Sequence, residues 1–150
     1  MRNFVAIAQV AFLGFDHLDT RVPDIAAVEP FYDLLMPLLG LTHKRYALVN
    51  GDDWQEDPAG RHNTIGYIEE NAAGRAPHFI NFVEDKNMKP VMTRIAFRVA
   101  PSTDYDHWMR ELDAIGARNV ERCADMDAYP AIFFEDPCGT KLELCGRRAG

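Results

Sequence analysis

The chain has 150 residues, of which 47% are hydrophobic and 26% are charged, a balance typical of a folded globular protein and not of a disordered one. Its formal net charge of -7 disfavours a nucleic-acid partner and an anionic membrane surface, because an acidic protein repels phosphate groups. Three cysteines without a CxxC spacing indicate neither a disulfide framework nor a zinc ribbon, so the expected compartment is the reducing cytoplasm.

The first segment, MRNFVAIAQVAFLGF, is apolar but is interrupted by Gln9. No apolar run reaches the roughly 18 residues that a membrane span requires. We therefore expect neither a cleaved signal nor a membrane anchor, and we expect the apolar pattern to lead directly into a strand.

A weak internal repeat is the most informative feature of the chain. The hexamer HLDTRV at 17–22 resembles RIAFRV at 94–99, and the two are offset by 77 positions. Both alternate between two faces, which predicts half-buried strands. Each is followed by a turn and by a residue that can cap a helix, Asp24 in the first copy and Ser102 in the second.

A helix is predicted after each of these strands. The apolar stripes have the three-four-three spacing of one helical face, and they are Val28, Phe31, Leu35 and Leu38, then Tyr105, Trp108, Leu112 and Ile115. Gly40 and Gly116 follow the stripes and predict left-handed caps. Pro30 and Pro37 each remove one helical hydrogen bond, so the main part of the first helix is expected to begin near Pro30.

Three strand-like stretches follow each predicted helix. They are roughly 43–49, 63–69 and 77–84 in the first half, and roughly 118–124, 129–135 and 140–146 in the second half. Residues 50–61 are interpreted as a loop, and Asp136-Pro137-Cys138-Gly139 as a turn. The sequence therefore predicts a single α+β domain over 1–150, made of two β-α-β-β-β units at about 12–85 and 91–147.

The order of these motifs resembles the vicinal oxygen chelate superfamily, which includes glyoxalases, bleomycin resistance proteins and extradiol dioxygenases. The resemblance is carried by FDHLDTRVPDIAAVEPFYDLLMPLLGL in the first unit, and by TRIAFRV, AIGAR and FFEDPCGTKLEL in the second. It implies that two units form a cupped eight-stranded mixed sheet. Many members hold a divalent metal in the cup through the first and fourth strands of each unit, and the metal polarises oxygens of the substrate.

The resemblance places His17 and Glu143 at metal-ligand positions, and Glu143 is also the candidate catalytic residue. The equivalent of His17 in the second unit is Arg94, which cannot bind a metal because its guanidinium has no acceptor. Asn81 stands at the remaining position and can offer only a weak oxygen ligand. Three readings of Arg94 stay open: a buried ion pair with Glu143, a clamp for an anionic substrate, or a solvated residue at the start of a strand.

His78, Tyr67 and Trp54 complete the candidate substrate-binding residues, together with Arg94 and Asn81. Three functions remain in competition. The first is a metal-assisted lyase, isomerase or dioxygenase that acts on a small oxygenated molecule. The second is a metal-free binding or resistance protein for a drug or metabolite, and the third is a ring-opening or group-transfer enzyme in which a metal assists transfer to an antibiotic. We expect one divalent ion in the first and third cases, no nucleotide cofactor in any of them, and a homodimer that covers open sheet edges.

Overall fold

A computed structural model describes residues 15–51, 53–57, 59–90 and 94–146. Unit one contains five strands and one helix, which are β1 (His17–Val22), α1 (Ile25–Leu38), β2 (His43–Asn50), β3 (Asp53–Glu56), β4 (Thr64–Ile68) and β5 (Phe79–Glu84). Unit two contains β6 (Arg94–Arg98), α2 (Tyr105–Ala114), β7 (Arg118–Arg122), β8 (Ala131–Glu135) and β9 (Lys141–Cys145). The predicted segment MRNFVAIAQVAFLG and the outer ends of both predicted units lie outside the described residues.

Each unit forms its own mixed sheet, with the order β1-β5-β4-β2-β3 in unit one and β6-β9-β8-β7 in unit two. The first strand of each unit runs parallel to the last, His17 opposite Phe79 in one and Arg94 opposite Lys141 in the other. The remaining neighbours pair antiparallel. The α+β class and the predicted repeat of two β-α-β-β-β units are thus confirmed in order and in strand direction, with one strand more in unit one than was predicted.

The predicted cap of α1 is confirmed, but the start of its main part and the cap of α2 differ from the prediction. Asp24 caps α1 as expected, since its carboxylate accepts from the backbone N–H of Ala27 at 3.2 Å. However, α1 continues from Ile25 through Pro30 to Leu38, so the prediction that its main part begins at Pro30 is wrong. Asp104, and not Ser102, caps α2, because Asp104 is adjacent to the first helical residue and accepts from His107 N at 2.9 Å.

The segment predicted as a loop at 50–61 contains a strand. Residues Asp53–Glu56 form β3, which pairs antiparallel with the second half of β2 and extends the sheet of unit one to five strands. All four β3 residues are exposed. An exposed strand has no apolar alternation, so the period-two pattern that identifies half-buried strands is missing here.

One apolar cluster includes residues of both units, among them Tyr32 and Phe82 from unit one and Leu142 and Leu144 from unit two. A buried hydrogen bond also joins the units, because the hydroxyl of Tyr32 on α1 donates to Asp136 Oδ2 at 2.8 Å. The other oxygen of Asp136 accepts from the backbone N–H groups at positions 138 and 140, at 2.9 and 2.8 Å. The Asp-Pro-Cys-Gly turn therefore both closes the β8–β9 hairpin and fixes α1.

Neither helix in the described part of the chain has the length and apolar character that crossing a membrane requires.

Candidate functional site

The open face of unit one carries a row of polar residues. Side chains alternate along each strand, so the core residues Ile80 and Phe82 face α1 while Asn81 faces the opposite side. Strand register places Asp19, Asn81, Gly66 and Arg45 side by side on β1, β5, β4 and β2. The parallel β1–β5 pair thereby brings residues that are distant in sequence to one line across the sheet.

Hydrogen bonds connect this row. Asn81 Nδ2 donates to Asp19 Oδ1 at 2.7 Å, and Arg45 Nη2 donates to Asn81 Oδ1 at 3.3 Å. Asn81 is only 2% exposed, so its amide needs hydrogen-bond partners within the protein. Both the amide nitrogen and the amide oxygen have one. The amide thus joins an anionic residue to a cationic one across the sheet.

Gly66 makes this arrangement possible. A Cβ at position 66 would lie 2.4 Å from Asn81 Oδ1 and 3.1 Å from Cγ and Nε of Arg45. Only a residue without a side chain leaves room for the two neighbours to meet over β4. The glycine is therefore a requirement of the polar row.

Aromatic groups line the same region. The Phe79 ring stacks on His17 with ring centroids 4.3 Å apart, and the guanidinium carbon of Arg45 lies 4.9 Å from the Phe79 centroid. Trp54 projects from β3 and remains 40% exposed. Together these groups line the unit-one cavity, of about 360 Å³, whose residues are His17, Asp19, Arg45, Ala47, Trp54, Gln55, Glu56, Phe79 and Asn81.

His17 lies between two carboxylates. Its Nδ1 is 2.7 Å from Asp16 Oδ2, and its Nε2 is 3.5 Å from Asp19 Oδ2. In the tautomer that donates from Nδ1 to Asp16, the lone pair of Nε2 faces Asp19. In that tautomer Nε2 is the ring nitrogen that can accept a hydrogen bond or a proton.

Glu143 is placed on the face of β9 opposite its apolar neighbours, as alternation predicts, and it is 4% exposed. Its partner is Tyr129, whose hydroxyl donates to Glu143 Oε1 at 2.7 Å. Hydrogen bonds to Cys145 and to Glu143 raise the pKa of Tyr129 well above its usual value. Arg94 instead lies over the Phe133 ring at 4.6 Å. Among the described residues Glu143 is therefore paired with a phenol and not with Arg94, and the reading of Arg94 as a substrate clamp stays a prediction.

The predicted site residues separate into three groups. His17, Asn81 and Trp54 line the unit-one cavity, whereas Arg94 and Glu143 lie in unit two and do not line it. His78 borders a second cavity, of about 530 Å³, together with His17 and with residues 96–98 of β6.

Tyr67 lies in the core and not in the cup. It is 2% exposed, and its hydroxyl donates to Asp33 on α1 at 2.9 Å. Burial and this bond raise the pKa of Tyr67 far above its usual value. Its strand partner is Ile80, which also faces the helix, so the prediction of a substrate-binding Tyr67 is corrected.

Sequence reasoning missed Arg45, Asp19 and Tyr129. Arg45 and Asp19 occupy alternating positions on predicted strands, and only the register across β1, β5, β4 and β2 brings them together. Gly66 is a signal that sequence reasoning could have used, since a glycine inside a strand indicates a close approach.

The residues around His17 do not fit a complete divalent-metal site. Among the described residues there is no group of three or more His, Cys, Asp or Glu arranged to hold a metal ion. The amide oxygen of Asn81 is engaged by Arg45, and that guanidinium would repel a cation placed beside it. The assignment of His17 and Glu143 as metal ligands therefore stays a prediction.

The sequence matches no protein-family model and no curated protein. The structure is similar to the fosfomycin resistance protein FosX from Mesorhizobium loti, with a TM-score of 0.56 and 11% identity over 92% of this chain and 95% of that one. FosX from Listeria monocytogenes, complexed with Mn(II) and sulfate, has a TM-score of 0.57 and 13% identity over 92% of this chain and 93% of that one.

A putative glyoxalase family protein from Bacillus anthracis gives a TM-score of 0.58 and 15% identity, over 94% of this chain and all of that one. These proteins have the vicinal oxygen chelate fold, and the predicted fold is confirmed. At such identities, the likeness shows the fold alone.

Proposed function

We propose that this chain binds a small oxygenated molecule in the unit-one cavity. The observation that carries the proposal is the hydrogen-bonded row from Asp19 through Asn81 to Arg45, set between the aromatic groups of Phe79 and Trp54. A cavity of about 360 Å³ is within the range that small-molecule sites occupy, and a few fixed polar groups among apolar walls orient a ligand.

His17 gives the cavity a group that can exchange a proton with a bound molecule. Asp16 holds one ring nitrogen, so the ring can accept a proton at the other and the carboxylate stabilises the resulting cation. Proton transfer at a carbon or oxygen next to a carbonyl is the chemistry that such a pair supports. Binding comes first in this proposal, and catalysis by His17 is its extension.

The two tryptophans of the chain supply the test. Trp54 lines the cavity and Trp108 lies on α2 in unit two, so their indole N–H signals report on the site and on a control position in one NMR spectrum. We expect small hydroxy and keto acids to move the Trp54 signal and to leave Trp108 unchanged. Trp54→Ala should weaken binding, and Trp108→Phe assigns the control signal. Equal movement of both signals, or of neither, contradicts the proposal.

A metal-assisted lyase, isomerase or dioxygenase is the second candidate. It is favoured by the Mn(II) in the Listeria monocytogenes FosX structure, which shares the fold. In this case His17 and Glu143 are the proposed ligands. Metal analysis of protein purified without a chelator tests it. A stoichiometric divalent ion that is lost in His17→Ala and kept in His107→Ala supports this candidate, and a metal-free wild type rejects it.

We further propose a homodimer. Strands β1 and β6 lie at the edges of their sheets, and Leu18 on β1 and Phe15, which precedes that strand, are 41% and 78% exposed. Open edges and exposed apolar side chains favour association with another chain. A second copy is also a means of covering the unit-one cavity, which is lined from one unit only.

A further inference from the structure

Arg45 has hydrogen-bonding capacity that the described part of the chain does not use. A guanidinium carries five N–H donors, and in that part of the chain Arg45 bonds one other side chain, donating to the neutral oxygen of Asn81 at 3.3 Å. Among the described residues, no carboxylate lies within ion-pair distance of Arg45, and its charge rests against the Phe79 ring. A partly buried cation in a cavity is best stabilised by an anion.

The neighbouring cation on the same strand shows the contrast. Lys44 faces the α1 side, where its Nζ lies 2.5 Å from Glu29 and 2.6 Å from Asp33. Two carboxylates thus neutralise Lys44, while Arg45 faces the cavity with no carboxylate of the described residues within ion-pair distance. The difference between adjacent residues indicates that the charge of Arg45 is available to a ligand.

The position of Arg45 is also specified by its surroundings. Gly66 leaves the space through which its side chain passes, Asn81 holds one end of the guanidinium, and Phe79 supports its face. A planar group held in this way is preorganised for an oxyanion, which accepts two parallel N–H bonds.

We infer that the unit-one cavity takes a small organic anion whose carboxylate or phosphorus oxyanion binds Arg45 and whose body lies between Trp54 and Phe79. This inference rests on the proposed function and names the class of its ligand. Asp19 and Glu56 also line the cavity, and their charges favour a singly charged carboxylate over a dianion. Asp19 is placed to accept a hydrogen bond from a hydroxyl group of the same molecule.

The test uses benzoate, its neutral counterpart benzamide, and phenylphosphonate as probes. Each is titrated into the full-length protein while the Arg45 Nε–H and Trp54 indole signals are followed by NMR. We expect benzoate to bind at least about tenfold more tightly than benzamide, the ratio that one charge-assisted pair of hydrogen bonds supplies. Phenylphosphonate should bind more weakly than benzoate at a pH where it is a dianion.

Three variants identify the cation responsible. Arg45→Gln should remove the preference for benzoate over benzamide, and Arg45→Lys should keep part of it because the charge remains. Arg110→Gln is the matched control, since Arg110 is exposed on α2, and it should leave the preference unchanged. The Trp108 signal reports whether each variant is folded.

The outcomes separate this inference from the proposed function. If benzamide and benzoate bind equally and both move Trp54, the cavity binds small molecules but the anion inference is overturned. If Arg45→Gln keeps the preference for benzoate, another cation is responsible and the inference is likewise overturned. If no probe moves the Trp54 signal, the inference is overturned, and the proposed function is rejected as well if small hydroxy and keto acids also leave that signal unchanged.

Discussion

Replacing Gly66 with Ala tests whether the polar row depends on one missing side chain. Gly66 has ordinary strand conformation, so alanine brings no backbone strain, and the change acts through contact alone. The added methyl would lie 2.4 Å from Asn81 Oδ1, which requires the buried amide to move. The 3.1 Å contacts with Arg45 involve a long, partly exposed side chain that can adjust.

The magnitude follows from the bonds that Asn81 would lose. Its bond to the Asp19 carboxylate is charge-assisted and contributes about 1.5–3 kcal/mol, and its bond to Arg45 is long and contributes less. Alanine in a strand interior recovers about 0.5–1 kcal/mol relative to glycine. We expect Gly66→Ala to lower the free energy of unfolding by about 1–3 kcal/mol.

A double-mutant cycle measured by urea unfolding checks the cause. Asn81→Ala removes the atom with which the new methyl collides, so the Gly66→Ala, Asn81→Ala double variant should be about as stable as Asn81→Ala alone. Strong non-additivity is the expected result. Costs that simply add, or a Gly66→Ala variant as stable as the wild type, would refute the assigned role of Gly66.

Three further outcomes are expected. Asp136→Ala should lower the free energy of unfolding by about 3–5 kcal/mol in urea titrations, because this buried carboxylate accepts three hydrogen bonds. Tyr32→Phe removes one of these bonds and should lower it by about 1–2 kcal/mol. Equal effects of the two variants would contradict this assignment. The hydrogen bond with Arg75 lowers the pKa of Glu69 from 4.5 to about 2, so this pair stabilises the fold above about pH 4.5 and that contribution is lost as the pH falls towards 2. Glu69→Gln should therefore reduce the loss of stability between about pH 5 and pH 3, and an unchanged loss would show that the pair is screened by solvent. Light scattering at micromolar concentration should give twice the chain mass of 17.0 kDa, and a particle of one chain mass would reject the homodimer.

Most of the fold could be predicted because apolar residues recur at regular spacing on the buried face of a strand or helix. Strands β1 and β6 alternate, both helices carry three-four-three stripes, and Gly40 and Gly116 take the left-handed conformation, with φ of 86° and 92°, where the helices were predicted to end. Strand β3 could not be found in this way, since all of its side chains are exposed. The cap of α2 was misplaced because Ser102 and Asp104 are both of capping residue types, and the sequence does not show at which of them the helix begins.

The candidate site was predicted only in part, because it depends on strand register, which cannot be read from the sequence. His17, Asn81 and Trp54 line one cavity, but Arg45 joins them only because β2, β4 and β5 pair in a particular alignment. Glu143 was placed on the correct face by alternation, yet its partner Tyr129, predicted at the start of a strand, lies in the loop before β8. Alternation along a strand gives no information about such a contact.

The hairpin of β2 and β3 allows the wall of the unit-one cavity to change length independently of the core. Strand β3 pairs with β2 alone and contributes no residue to the apolar cluster, yet it carries Trp54 and two further residues of the cavity wall. Insertions or deletions near Gly51 would lengthen or shorten that wall without altering core packing. Evolution, or a designer, can therefore resize the ligand that this scaffold accepts by editing one short surface hairpin.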